Sequence, residues 1–265
     1  MHQITSRKNR AVERYRAAAA GDLDGRMLLD GAHLVGDALA SGIRIREAVV
    51  AAERVDRAEL RSLLAAIAAQ GVEVSAATAA VMDALSPVRS SSAIVAIADR
   101  PSAAAARSYS GDRPLVVIAE GVQDPGNLGA IVRVAEAAGA ASLVAAGRTA
   151  HPFGWKALRG SMGSALRLPI LVRPDARSAV DEAVHHRCRI VATSPRGGQP
   201  PVDVGLRGRV AIVIGGEGAG VEADQIARAD SRVTIPMEGR VESLNAAVAA
   251  AILLYEAHRQ RLANS

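Results

Sequence analysis

The chain has 265 residues, room for one or two domains; 49% are hydrophobic but only 2% aromatic, so alanine, valine, leucine and isoleucine must do most of the packing. The formal net charge of +5 suits either an anionic partner such as nucleic acid or a soluble protein of merely arginine-biased composition. A single cysteine, Cys188, excludes an internal disulfide framework and a cysteine-based zinc site, and no metal is expected; with no apolar run after the basic start and only a short one at 246–254, neither a signal peptide nor a membrane span is expected, which makes the cytoplasm the default location.

The first sixteen residues carry Arg7, Lys8, Arg10, Arg14 and Arg16 against one acid, Glu13. They read as a basic helix, suited either to touching phosphate or to forming a solvated face. A strand is predicted over 27–29, a helix over 32–40 closed by Gly42, and a strand over 45–51. A helix over 56–70 ends at Gly71, followed by a strand at 72–74, a helix at 76–85 and a strand at 93–98. Strands alternating with helices make residues 1–105 a small α/β unit. Residues 99–114, rich in small side chains and ending in a proline, suit a domain boundary.

The second unit, 112–265, opens with a continuous apolar strand over 115–119, of the kind buried on both faces in a parallel sheet. Further strands are predicted at 142–145, 190–192, 210–214 and 231–235, with helices at 129–138, 155–162, 178–186 and 222–229. This is a doubly wound α/β pattern. Cys188, at the start of one strand, reads as a small buried hydrophobe.

Three strand-to-loop junctions carry the polar chemistry. The first is Glu120-Gly-Val-Gln-Asp-Pro-Gly-Asn127, where Asn127 can cap the next helix and Arg133 follows six residues later. The second is Gly215-Gly-Glu217-Gly-Ala-Gly220, four glycines around one carboxylate, which brings backbone close to a ligand. It is not a dinucleotide fingerprint, because Val221 stands where the third glycine belongs, and no Gly-Lys-Ser/Thr follows to make a phosphate loop. The third is Ile235-Pro-Met237 through Ser243-Leu244-Asn245, after which an alanine-rich apolar helix begins. Free backbone N–H groups at such a helix start readily hold small ligands. A fourth stretch, Lys156-Ala-Leu-Arg159-Gly-Ser, is basic and suits either a phosphate backbone or a plain surface helix.

Taken in order, the three loops resemble the signature motifs of the SpoU/TrmH family of SPOUT RNA 2′-O-ribose methyltransferases: Asn127 with Arg133, Gly215-Gly-Glu217-Gly, and Ile235-Pro-Met237 with Ser243-Leu244-Asn245. Members tend to carry threonine and phenylalanine where this chain has Val134 and Ala138, changes that leave the polar signature intact. Residues 1–105 are similar to the ribosomal-protein-like substrate-binding domain of the thiostrepton-resistance type of 23S rRNA methyltransferase, mainly through Leu29-Asp-Gly-Ala-His-Leu-Val.

The resemblance implies a C-terminal domain with a parallel sheet and a deep trefoil knot, a rare exception to unknotted chains. It also implies a homodimer and S-adenosyl-L-methionine as cofactor. By position, Gly215, Ile235 and Leu244 would contact that cofactor and Thr193, Gly216 and Met237 would line its pocket. Asn127, Arg133, Glu217, Ser243 and Asn245 would form the polar active site, with Arg159 holding RNA. The implied activity is methyl transfer to a ribose 2′-hydroxyl, with ribosomal RNA favoured over tRNA. A non-catalytic RNA-binding or ribosome-assembly protein is the competing reading, and a nicotinamide oxidoreductase is disfavoured by the failed fingerprint.

Overall fold

The alternation of strands and helices resolves into two sheets, one in each of two units of the chain. A computed structural model describes residues 1–88 and 91–263. The first unit comprises Met1–Pro101 together with Phe153–Leu166, and the second Ser102–Pro152 with Arg167–Ser265.

The first unit runs β1 (Gln3–Ile4), α1 (Arg10–Ala20), β2 (Arg26–Asp30), α2 (Ala32–Ala40), β3 (Ile45–Ala51), α3 (Ala58–Ala69), β4 (Val74–Ala77), α4 (Ala79–Leu85) and β5 (Ile94–Asp99). Its sheet has the order β1-β4-β3-β5-β2, parallel from β1 to β3 and antiparallel beyond. Asn9 caps α1 through its side chain, and Gly21, at φ 88°, ends the helix in the left-handed conformation that glycine adopts without steric cost. Tyr15, Leu28, Met82 and Leu85 pack in one core, and Trp155 from the later segment packs against it.

One expectation fails here. Ala76 and Ala77 were expected in a helix over 76–85 but lie in β4, because they pair with Gln3 and Ile4 on one side and Val50 and Ala51 on the other. The helix begins only at Ala79. Ladder hydrogen bonds on both edges outweigh alanine's helix preference of a few tenths of a kcal/mol. The two-residue β1 that supplies one edge is too short to show a periodicity.

The second unit begins with α5 (Ala105–Ser108), inside the expected linker, then β6 (Leu115–Glu120), α6 (Pro125–Ala137) and β7 (Ser142–Ala146). The chain next forms α7 (Trp155–Ser161) and α8 (Ser164–Arg167) before β8 (Ile170–Arg173), α9 (Ala176–His185), β9 (Arg189–Thr193), β10 (Val210–Gly215), α10 (Ala223–Arg228), β11 (Ser231–Val233) and α11 (Ala246–Leu262). Six parallel strands lie in the order β11-β9-β10-β6-β7-β8. Every residue of β6, including its terminal Glu120, is buried. On one face, Val116, Ile118, Val144 and Val213 pack against Ala179, Val180 and Ala183 of α9, and Cys188 lies buried in the same core. α6 and α11 pack against each other.

Further boundaries shift. α6 starts at Pro125 rather than 129: proline at N1 has the helical φ built in, and the cap is Asp124, whose side chain accepts the Asn127 N–H. Asn127 therefore sits in the first turn and is not the cap. β11 stops at Val233, short of Ile235, and residues 234–245 cross to α11 without regular structure. β8 was not predicted; four residues behind Pro169 give too short an apolar run to stand out. Among the described residues no helix is long and apolar enough to cross a membrane.

Candidate active site

The C-terminal ends of β9, β10 and β11 open onto a cavity of about 380 Å³, the usual place for a ligand in an open parallel sheet. Thr193, Gly215, Gly216, Ile235, Met237 and Leu244, all expected to meet a cofactor, line it. So do Glu217, Ser243 and Asn245 from the expected polar set.

The glycine loop folds back on itself. Gly216 N–H donates to the Glu120 carbonyl at 2.8 Å, and Gly220 N–H donates to the Gly216 carbonyl at 3.2 Å. A Cβ on Gly215 would overlap the backbone of Gly220, and one on Gly216 would overlap the Gly121 carbonyl. Glycine at these two positions is therefore a packing requirement, the close backbone approach that the sequence suggested.

Asn127 ties the three loops together. Its Nδ2 donates to Glu217 Oε1, and its Oδ1 accepts from Asn245 Nδ2 at 3.1 Å. Asn245 caps α11 with its other amide atom, accepting the Ala247 and Val248 N–H groups at 2.9 and 3.3 Å. Both amide orientations are thereby fixed: Asn245 Oδ1 faces the helix, so its Nδ2 must face Asn127. Ser243 lies exposed on the cavity's rim.

Other expected residues stand apart. Arg133 is exposed on α6 and is not among the cavity's walls. Arg159 is exposed on α7, within the first unit. Arg7, Lys8 and Arg10 are exposed in that unit too, with Arg7 Nε donating to the Ala80 carbonyl at 2.8 Å. In the sequence, Glu120 marks only the start of a loop. It is 4% exposed, and burial pushes its carboxyl up to about 7, with the Glu222 N–H opposing and the Glu222 and Asp224 carboxylates adding to the rise. A carboxylate closing an otherwise wholly apolar strand was the signal for it.

Residues 114–255 match the SpoU rRNA Methylase family. The chain is 31% identical over 258 residues to the 23S rRNA (guanosine(2553)-2′-O)-methyltransferase RlmP of Bacillus subtilis (strain 168), covering 96% of this chain and 98% of that protein. Among solved structures, the SpoU methyltransferase AviRb from Streptomyces viridochromogenes in complex with AdoMet superposes with a TM-score of 0.88 at 28% identity, over 96% of this chain and 99% of that one. The AdoMet-bound rRNA methyltransferase from Sinorhizobium meliloti gives 0.86 at 28% identity, covering 97% of both chains. The motifs, the parallel sheet and the near full-length relative agree: this chain belongs to the SpoU rRNA methylase family.

Proposed function

We propose that this protein is an S-adenosylmethionine-dependent methyltransferase acting on a ribose 2′-hydroxyl of 23S ribosomal RNA. The observation that carries this reading is the Glu217–Asn127–Asn245 hydrogen-bonded chain beside a cavity walled by glycine backbone and apolar side chains. The near full-length likeness to a 23S rRNA 2′-O-methyltransferase favours ribosomal RNA over tRNA.

The residues fit the cofactor. A cavity of about 380 Å³ falls in the range of small-molecule sites, about 300–1,000 Å³. Ile235, Leu244 and Leu253 offer apolar contact, and the bare backbone at Gly215 and Gly216 lets a ligand approach its N–H and C=O groups. The Glu217 carboxylate would repel phosphate and attract a cation, which suits a sulfonium better than a nucleotide diphosphate.

When bound, S-adenosylmethionine supplies an electrophilic methyl group. The protein's own task is then to hold the ribose oxygen in line behind it, since positioning can supply much of the rate. Asn127 and Ser243 orient the sugar, with Asn127 held by Glu217 and Asn245. Arg133 would hold the neighbouring phosphate and stabilise the developing alkoxide as the 2′-hydroxyl passes its proton to solvent water.

An exposed Arg133, outside its own chain's cavity, fits an active site completed at the interface of a homodimer. Val248, Ile252, Tyr255 and Leu262 form an exposed apolar stripe on α11, opposite the buried Ala250, Leu253, Leu254 and Ala257, and a second copy would cover it. Residues 1–105, with Arg7, Lys8 and Arg10, and Arg159 on α7, select and hold the RNA, and residues 112–265 carry the knot and the chemistry. Such a protein works in the cytoplasm.

Mass-spectrometric mapping of ribose methylation in RNA from cells with and without the protein tests the reading; loss of one 23S rRNA mark is expected, and loss of a tRNA mark instead would assign the alternative substrate. Arg133→Ala is expected to abolish methyl transfer while calorimetric binding of S-adenosylmethionine stays near normal. Near-normal turnover in that variant would remove Arg133 from the site.

A further inference from the structure

We infer that Glu120 is a positioning residue that fastens both ends of the glycine loop and so sets the shape of the cofactor cradle. The inference rests on the reading that the cavity takes S-adenosylmethionine. Glu120 ends β6 and lies in register with Gly215 of β10 and Ala146 of β7. Its carbonyl accepts the Gly216 N–H at 2.8 Å, where the loop leaves the sheet. Its side-chain Oε1 accepts the Glu222 N–H at 3.3 Å, where the loop enters α10. Between these anchors lie residues 217–221, all of which line the cavity, Glu217 among them with its bond to Asn127.

The near anchor is backbone and survives any substitution. The far anchor is a single side-chain oxygen, so the fit of residues 217–221 depends on it. Oε2 is buried without a hydrogen-bond partner among the described residues. The charged groups bearing on the carboxyl are Glu222 and Asp224, both acidic. On the same face Arg173 of β8 and Glu182 of α9 are closed on each other at 2.7 Å, and Asp175 is engaged in capping α9. Of these groups only the Glu222 N–H favours the ionised form; burial and the two acidic neighbours outweigh it, and the neutral carboxyl holds the loop without placing a third negative charge beside Glu222 and Asp224.

The test compares the full-length wild type with Glu120→Gln, which keeps the acceptor without the charge, and Glu120→Ala, which removes it. S-adenosylmethionine affinity is measured by calorimetry from pH 6 to 8.5, with circular dichroism to establish folding. Glu120→Gln is expected to bind like wild type at pH 6 and Glu120→Ala about tenfold more weakly. Above pH 7 wild-type affinity falls relative to Glu120→Gln. A folded Glu120→Ala with wild-type affinity, or a Glu120→Gln as weak as Glu120→Ala, overturns the inference, as do parallel pH curves for wild type and Glu120→Gln. Amide exchange at Glu222 reads the brace without any ligand: faster exchange in Glu120→Ala alone supports it, and unchanged exchange overturns it. A wild type that binds no S-adenosylmethionine defeats the functional reading, and exchange then still decides the brace.

Discussion

Glu120 and Asn127 divide the labour at the site between a buried carboxyl that shapes the loop and an amide that joins three loops. Asn127 can do this because its amide is both donor and acceptor, and it spends one function on Glu217 and the other on Asn245. Glu120 also makes stability depend on pH. Its folded value of about 7 lies above the ordinary 4.5, so the folded state binds the proton more tightly than the unfolded chain. The stabilisation is full below about pH 4.5, shrinks as pH rises, and is gone once pH passes about 7. The thermal midpoint of the wild type is therefore expected to fall between pH 5 and 7.5, and Glu120→Gln to lose that part of the slope. Equal slopes in the two proteins would show that Glu120 ionises normally.

At the scale of elements, α6 and α11 pack against each other, with Asn127 in the first turn of α6 and Asn245 capping α11. The start of α6 matters most, because Asp124 caps it and Pro125 fixes its first φ, and together they place Asn127 in the first turn. Asp124→Ala is expected to cost about 1 kcal/mol, the usual worth of such a cap. Denaturant unfolding checks this, and a larger proportional loss of methyl transfer would show that the cap also aims Asn127. The apolar run of α11 was legible as a helix, but its composition hides two faces. Alanines spread through it give almost no periodic signal, and only packing separates buried Leu253 and Leu254 from exposed Ile252 and Tyr255.

For the whole molecule, that second face leaves Val248, Ile252, Tyr255 and Leu262 exposed together. If α11 forms the proposed dimer interface, replacing Ile252 and Tyr255 together with aspartate is expected to give a folded monomer and the wild type a dimer, read by light scattering after gel filtration. A wild-type monomer at micromolar concentration, with intact methyl transfer, would dismiss the dimer. The segment Phe153–Leu166 belongs with the first unit although both its flanks lie in the second. Arg159 therefore joins Arg7, Lys8 and Arg10 in one unit, an association no linear reading of the boundary suggests.

What the sequence determined was local in cause: continuous apolar runs that had to be buried strands, glycines where backbone must approach backbone, and Asn127, Glu217 and Asn245 in the segments that follow strands, where a parallel sheet exposes its loops. Tertiary structure alone decided the rest. Strand pairing pulled Ala76 and Ala77 out of a helix, burial on a closed core turned Glu120 from a loop residue into a near-neutral acid, and the meeting of Asn127 with partners 90 and 118 positions away set which polar groups touch. Each of these depends on contacts between residues far apart in the chain, whose energies no local propensity contains.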